Sequence, residues 1–261
     1  MSFEFFDPPE RDWIQTFQNQ GYLIFDLEQD LDCIDQTLCE ASARYLGQSI
    51  SPEELYQNTP QWVPIDQLNG FRVALIQALR QPKTIGRALY GCAKHPIHAL
   101  IGNELAMQRG PNLSIQYPND PSSLLAIHSD VWSGNSPYEL VLWVPLVDCY
   151  ATKSMYLLPF ADSQQVYQNF SHYQNLSAEA FYAAVADSAQ FLTIKRGQGL
   201  LFWHGLVHGN RINQEAKTRW SMNIRFKSFL SPYGSKELGE TFLPITIRPA
   251  TRLGYAYRRP T

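Results

Sequence analysis

Arg219-Trp220-Ser221-Met222-Asn223-Ile224-Arg225-Phe226-Lys227 alternates polar and apolar side chains without a break. A strand sends successive side chains to opposite faces, so Arg219, Ser221, Asn223, Arg225 and Lys227 share one face and Trp220, Met222, Ile224 and Phe226 the other. A sheet face turned to solvent would give the same alternation. The residues just upstream argue for something else, because Leu200-Leu201-Phe202-Trp203-His204-Gly205-Leu206-Val207-His208 brings two histidines close to this strand. The polar row then reads as the lining of a cavity inside a barrel, with the apolar row packed on a layer of helices.

Further strand-like runs cover 113–117, 124–128, 139–146, 155–158, 191–194 and 200–203, with Pro, Gly, Asn and Asp in the gaps. Many short strands broken in this way predict a double-stranded β-helix, the jelly-roll or cupin-like core, over 111–229. Residues 160–188 are polar and then helical from Ala178 to Val185, an insertion that reads either as a lid or as a surface excursion. Residues 1–110 are expected to be a mainly helical support layer. Helices are placed at 11–20, from Asp30 along Leu31, Ile34, Leu38, Ala41 and Tyr45, at 71–79, from Pro82 to Cys92, and from His95-Pro96. A strand follows Gly21, and 47–69 reads as loop with a helical turn at Pro52-Glu53-Glu54-Leu55. Residues 230–261 form a C-terminal extension, and nothing divides the chain into separate domains.

At 261 residues and 44% hydrophobic composition the chain can bury a sizeable core. The formal net charge of −3, without a Lys/Arg block, argues against nucleic-acid and membrane-surface partners and leaves a small molecule. No apolar run approaches the roughly 20 residues that cross a bilayer. Cys33, Cys39, Cys92 and Cys149 are scattered without a C-x-x-C pair, and the first residues lack a secretory pattern, so a cytoplasmic protein with reduced thiols is expected.

His128-Ser129-Asp130 ends the apolar run Leu124-Leu125-Ala126-Ile127. If extended, it places His128 and Asp130 on one side, able to share a metal, with Ser129 turned away. Alone the pair is weak. With His208 it makes two imidazoles and one carboxylate, the ligand set of a non-haem Fe(II) site that leaves three coordination positions open. His204 competes with His208 as the distal ligand. Four residues would align the two on a helix, but Gly205 and Gly209 disfavour a helix there. His95, His98 and His172 read as capping or surface residues.

These motifs resemble the phytanoyl-CoA hydroxylase-like branch of the Fe(II)/2-oxoglutarate-dependent oxygenases, to which ectoine hydroxylase also belongs. The resemblance covers about 111–229 and Phe17-x-x-x-Gly21-Tyr22. It rests on His128-x-Asp130, Trp143-Val144-Pro145-Leu146-Val147-Asp148, Leu157-Leu158-Pro159, His208-x-x-x-x-Asn213 and Arg219-x-Ser221. It implies His128, Asp130 and His208 as iron ligands. It also implies Arg219, eleven residues after His208, as the residue that grips 2-oxoglutarate. A guanidinium fork suits a planar carboxylate, and Ser221 and Gln116 can add hydrogen bonds. The implied cofactors are Fe(II), 2-oxoglutarate and O2, and the implied chemistry is decarboxylation to succinate and CO2 coupled to C–H oxidation. Halogenating relatives replace the carboxylate, so Asp130 points to hydroxylation. Pro159-Phe160-Ala161-Asp162 departs from the usual Pro-Gly-Ser-His, so family substrates are not carried over. Trp132, Asn223 and Arg225 are candidate substrate contacts. The chain is also similar to oxygenases of bacterial surface-carbohydrate pathways, implying a sugar or nucleotide-sugar substrate. The rival readings are a non-catalytic jelly-roll carbohydrate-binding protein and a metal-dependent cupin enzyme that does not use 2-oxoglutarate.

Overall fold

A computed structural model describes residues 3–81 and 83–259. The first part is helical, as α1 (Pro8–Gln20), α2 (Asp32–Leu46), α3 (Pro52–Trp62), α4 (Ile65–Arg80), α5 (Lys83–Gly91) and α6 (Lys94–Ile101), with strands β1 (Tyr22–Asp26) and β2 (Leu105–Gln108) set among them. The helix start expected at Pro82 lies outside the described residues. Gly21 ends α1 with φ +82°, and its N–H donates to the Phe17 carbonyl, which accounts for the Phe17/Gly21 spacing.

Two expectations need correction here. Most of the segment read as loop, 47–69, is α3 and the start of α4. Ser51 caps α3 reciprocally with Glu54, and the helix buries Leu55, Tyr56 and Thr59, so a cap and one apolar face outweigh a composition rich in Gln, Asn and Pro. Strand β2 was not anticipated in the helical layer. Four residues are too short to show a period, and β2 exists by pairing with neighbours on both edges.

The remaining elements are β3 (Asn112–Gln116), β4 (Glu139–Pro145), β5 (Met155–Leu157), α7 (Phe160–Gln168), α8 (Phe170–Tyr173), α9 (Ala178–Val185), β6 (Gln190–Phe191), β7 (Gln198–Trp203), β8 (His208–Asn210), β9 (Arg219–Ser228), β10 (Phe242–Pro244) and α10 (Pro249–Ala256). They form two antiparallel sheets. In the larger the order is β1-β7-β4-β9-β2-β10, with β3 also paired to β9, and in the smaller it is β6-β5-β8. The run 124–128, expected as a strand, is not one; it meets β8 of the small sheet at His128, which bridges His208, and at Leu125, whose carbonyl accepts from the Asn210 N–H at 3.0 Å.

Strand β9 divides the molecule. Its apolar row, Trp220, Met222, Ile224 and Phe226, packs into one core with Ile34, Leu38, Leu55, Phe71, Leu75 and Leu89 of the helices. Tyr56 and Phe71 meet the Trp220 ring edge-on, with centroids 5.4 and 6.5 Å away. On the opposite face of the large sheet, Val141, Trp143, Leu200 and Phe202 pack against Met155, Leu157, Leu192 and Ile194 from the small-sheet side. The polar row of β9 therefore looks inward between the sheets as far as Arg225. Lys227 leaves the row: it is buried with its ammonium donating to the Pro232 carbonyl at 2.5 Å and lying over the Tyr233 ring.

Candidate active site

His128 and His208 face each other across the bridge that joins the 124–128 run to β8. Their backbones exchange two N–H···O bonds of 2.9 and 2.8 Å, and their rings lie 4.3 Å apart. Each imidazole donates its Nδ1–H to the carbonyl two residues earlier, His128 to Ala126 and His208 to Leu206, both at 2.8 Å. A carbonyl can only accept, so both rings are fixed with an unprotonated Nε2, the tautomer a metal needs. The Asp130 carboxylate completes a cluster whose ligand atoms all lie within 4.8 Å of one another, with Oδ1 at 3.6 Å from His128 Nε2. Burial pushes the His208 imidazole down to about 4 and keeps it neutral. Burial works against ionisation of Asp130, but the Arg225 guanidinium, donating to its Oδ2 at 2.6 Å, favours the charged form, and this carboxyl is held well below the usual range. Two neutral nitrogens and one carboxylate oxygen are a donor set that fits Fe(II).

Ser129 is buried behind the cluster. Its hydroxyl contacts Tyr167 Oη at 2.6 Å, and Tyr167 in turn donates to the Gly205 carbonyl at 2.7 Å. Beyond His208, Gly209 passes so close to its neighbours that a Cβ would lie 2.8 Å from Tyr156 Oη and 3.0 Å from the Leu125 carbonyl oxygen. Between His208 and Arg219, Asn213 is buried and donates to the Gln116 and Lys217 carbonyls at 3.3 and 2.9 Å.

His204 has a different place. Its Nε2–H donates to the Ser136 carbonyl at 2.6 Å, and the fully buried ring lies outside the three-residue cluster. Burial lowers its pKa to about 4 and raises that of Glu139, whose Oε2 lies 3.7 Å from His204 Nδ1.

Arg219 is 4% exposed, donates to Ser114 Oγ at 2.8 Å and the Ser154 carbonyl at 3.3 Å, and pairs with no carboxylate among the described residues. Burial lowers its pKa only to about 10, so it stays a cation. Its Nε and Ser221 Oγ are both buried without a partner. A buried guanidinium is costly unless an anion meets it, and these orphaned donors fit the far carboxylate of 2-oxoglutarate. His128, Asp130, His208, Arg219 and Ser221 all line one cleft of about 430 Å3. A larger cleft of about 990 Å3, between α3 and the 146–153 and 216–218 segments, shares no residue with it.

The other sequence candidates separate. Asn223 lines the cleft. Arg225 lines it too, but its guanidinium is committed to Asp130 Oδ2 at 2.6 Å and Gln108 Oε1 at 3.2 Å. It holds a candidate metal ligand and leaves Asp130 Oδ1 as the oxygen directed at the cluster. Gln116 is buried away from the cleft lining, with its amide N–H on the Arg211 carbonyl at 2.7 Å. Trp132 does not line the cleft either. It stacks on Tyr167, Phe170 and Phe181, so it anchors the 160–188 insertion to the metal loop. His95 pairs with Glu28 and His98 with Tyr90 Oη, both far in sequence from the cluster. Sequence reasoning missed the Arg225–Asp130 contact, the Tyr167 brace and Arg72, which reaches the cleft from α4. Strand parity put Arg225 on the cavity side, but no local signal names its partner.

No protein-family model matches the chain, and no curated protein matches it. Solved structures do. A non-heme monooxygenase, ThoJ in complex with nickel, superimposes with a TM-score of 0.58 at 16% identity, covering 91% of this chain and 84% of that one. The non-heme alpha ketoglutarate dependent carbocyclase SnoK from nogalamycin biosynthesis gives 0.56 at 14% identity, covering 94% and 99%. HygX from Streptomyces hygroscopicus, with nickel and 2-oxoglutarate bound, gives 0.50 at 11%, covering 85% and 88%. At these identities the likeness establishes a shared fold.

Proposed function

We propose that this protein is a non-haem Fe(II)- and 2-oxoglutarate-dependent oxygenase of the phytanoyl-CoA hydroxylase-like branch, built on a double-stranded β-helix, that hydroxylates a C–H bond of a small polar metabolite. A sugar or nucleotide-sugar is the favoured substrate class. The observation that carries this reading is Arg219, a buried cation without an acidic partner among the described residues, in the same cleft as two imidazoles and a carboxylate. A carbohydrate-binding module has no use for that ligand cluster, and a cupin enzyme independent of 2-oxoglutarate has none for the unmatched guanidinium.

His128, Asp130 and His208 would hold the iron, and Arg219 with Ser221 would bind the distal carboxylate of 2-oxoglutarate. Iron with O2 and 2-oxoglutarate supplies an oxidant able to abstract hydrogen from an unactivated C–H bond. The chain's own part is placement. Arg219 and Ser221 fix one end of the co-substrate, while Trp143, Met155 and Phe202 supply apolar wall that keeps water from the space between the sheets. The Ala126 and Leu206 carbonyls hold both imidazoles in the ligating tautomer. All four cysteines are free thiols, which supports a reducing, cytoplasmic setting. Among the described residues no helix is long and apolar enough to cross a membrane. The test is succinate formation by purified protein given Fe(II), 2-oxoglutarate and O2. Iron-dependent turnover, even slow and uncoupled, is expected. Its absence in protein shown to bind metal would refute the assignment.

A further inference from the structure

Once the metal ligands and Arg219 are assigned, the same cleft still contains cationic and amide groups without a role. Along β9 the side chains go from buried Arg219 and Ser221 to half-buried Asn223, so the cleft opens in that direction. Arg72 is half-buried on α4 and also lines it. Its guanidinium donates to Asn69 Oδ1 at 2.8 Å and pairs with no carboxylate among the described residues. Asn223 Oδ1 accepts from Asn112 Nδ2 at 3.0 Å, which fixes the amide and leaves its N–H donors for the cleft. The Nε of Arg225 is buried without a partner.

The charge balance points the same way. The described residues that line the cleft include Arg72, Arg219 and Arg225 against one carboxylate, Asp130. Arg225 neutralises Asp130, and of the two negative charges of 2-oxoglutarate one would meet Arg219 and the other the divalent metal. The charge of 2-oxoglutarate is thus spent on Arg219 and part of the metal, and a net positive field remains where Arg72 stands. A neutral sugar would leave that guanidinium unmatched, whereas an oxyanion would accept its paired N–H groups.

Resting on the oxygenase reading, we infer that the substrate carries an oxyanion (phosphate, sulfate or carboxylate), gripped by Arg72 and Asn223 where the cleft opens. Arg72 is thus the specificity-determining residue. It would orient the remainder of the substrate toward the metal cluster.

The test uses protein loaded with Ni(II) and 2-oxoglutarate, titrated calorimetrically with inorganic phosphate, sulfate and acetate, and with glucose 1-phosphate against glucose. Saturable binding of at least one anion is expected, with 2-oxoglutarate retained and no binding of glucose. The anion that binds identifies the group. Arg72→Gln should weaken that binding at least about tenfold, the scale of one charge-assisted hydrogen bond. Arg72→Lys should restore part of it, and neither change should move 2-oxoglutarate affinity. The inference is overturned if no anion binds, if Arg72→Gln binds as well as the parent, or if the anion displaces 2-oxoglutarate, which would place it at Arg219. Failure to take up Ni(II) and 2-oxoglutarate at all would instead refute the oxygenase reading beneath it.

Discussion

Arg219 and Arg225 stand six positions apart on one face of β9 and do different work. Arg219 has no acidic partner among the described residues, while Arg225 already holds Asp130. Arg219→Ala should raise the 2-oxoglutarate dissociation constant by roughly tenfold to a hundredfold, since a bidentate charge-assisted contact is lost, and leave metal affinity nearly unchanged. Calorimetric titrations of each ligand separate the two effects. Arg225→Gln should act in the reverse sense, because freeing Asp130 Oδ2 loosens the carboxylate. Metal affinity should fall on the order of tenfold to a hundredfold, the usual cost of losing a partner to a ligand. His128→Ala should abolish stoichiometric binding of Ni(II).

The helices show how an element forms against its composition. Residues 47–69 carry enough Pro, Gln and Asn to read as loop, yet the Ser51/Glu54 box starts α3 and burial of Leu55 and Tyr56 holds it. Ser51→Ala should cost about 1 kcal/mol, visible as a small shift of the urea midpoint with an unchanged slope. The insertion is held at its aromatic contact with Trp132 and at Tyr167, which spans from α7 to Ser129 and the Gly205 carbonyl. Removing the Trp132 ring should speed amide hydrogen exchange in α7–α9 while β4, β7 and β9 keep their protection. Equal protection in the variant would show that the insertion is held elsewhere.

At the scale of the molecule, β9 is shared between a helical core and a polar cleft, so its two faces face different demands. Trp220 is fully buried beneath Tyr56 and Phe71, and Trp220→Ala should destabilise the fold by roughly 3–5 kcal/mol. On the proposed function, metal and 2-oxoglutarate would bind only the folded cleft, and each should raise the melting temperature of the parent protein. In Arg219→Ala only the metal increment should survive. Much of this was legible along the chain. The alternation in β9 assigned a core face and a cavity face, because strand parity is local, and the motif around His128 and Asp130 pointed to two members of the cluster, because both lie in one short segment. Glycine placement, with the spacing to Arg219 that the family resemblance implies, favoured His208 over His204. Other features depended on approach between distant segments: β2 among the helices, Trp132 turned to the insertion, Gln116 drawn off to Arg211, Arg225 bound to Asp130, and Arg72 reaching in from α4. The sequence by itself determined which side chains share a face and which residue types can bind a metal, since both follow from backbone period and side-chain chemistry. Only the tertiary structure decided which partner each polar group keeps, because a hydrogen bond between residues a hundred positions apart depends on how the sheets and helices are brought together.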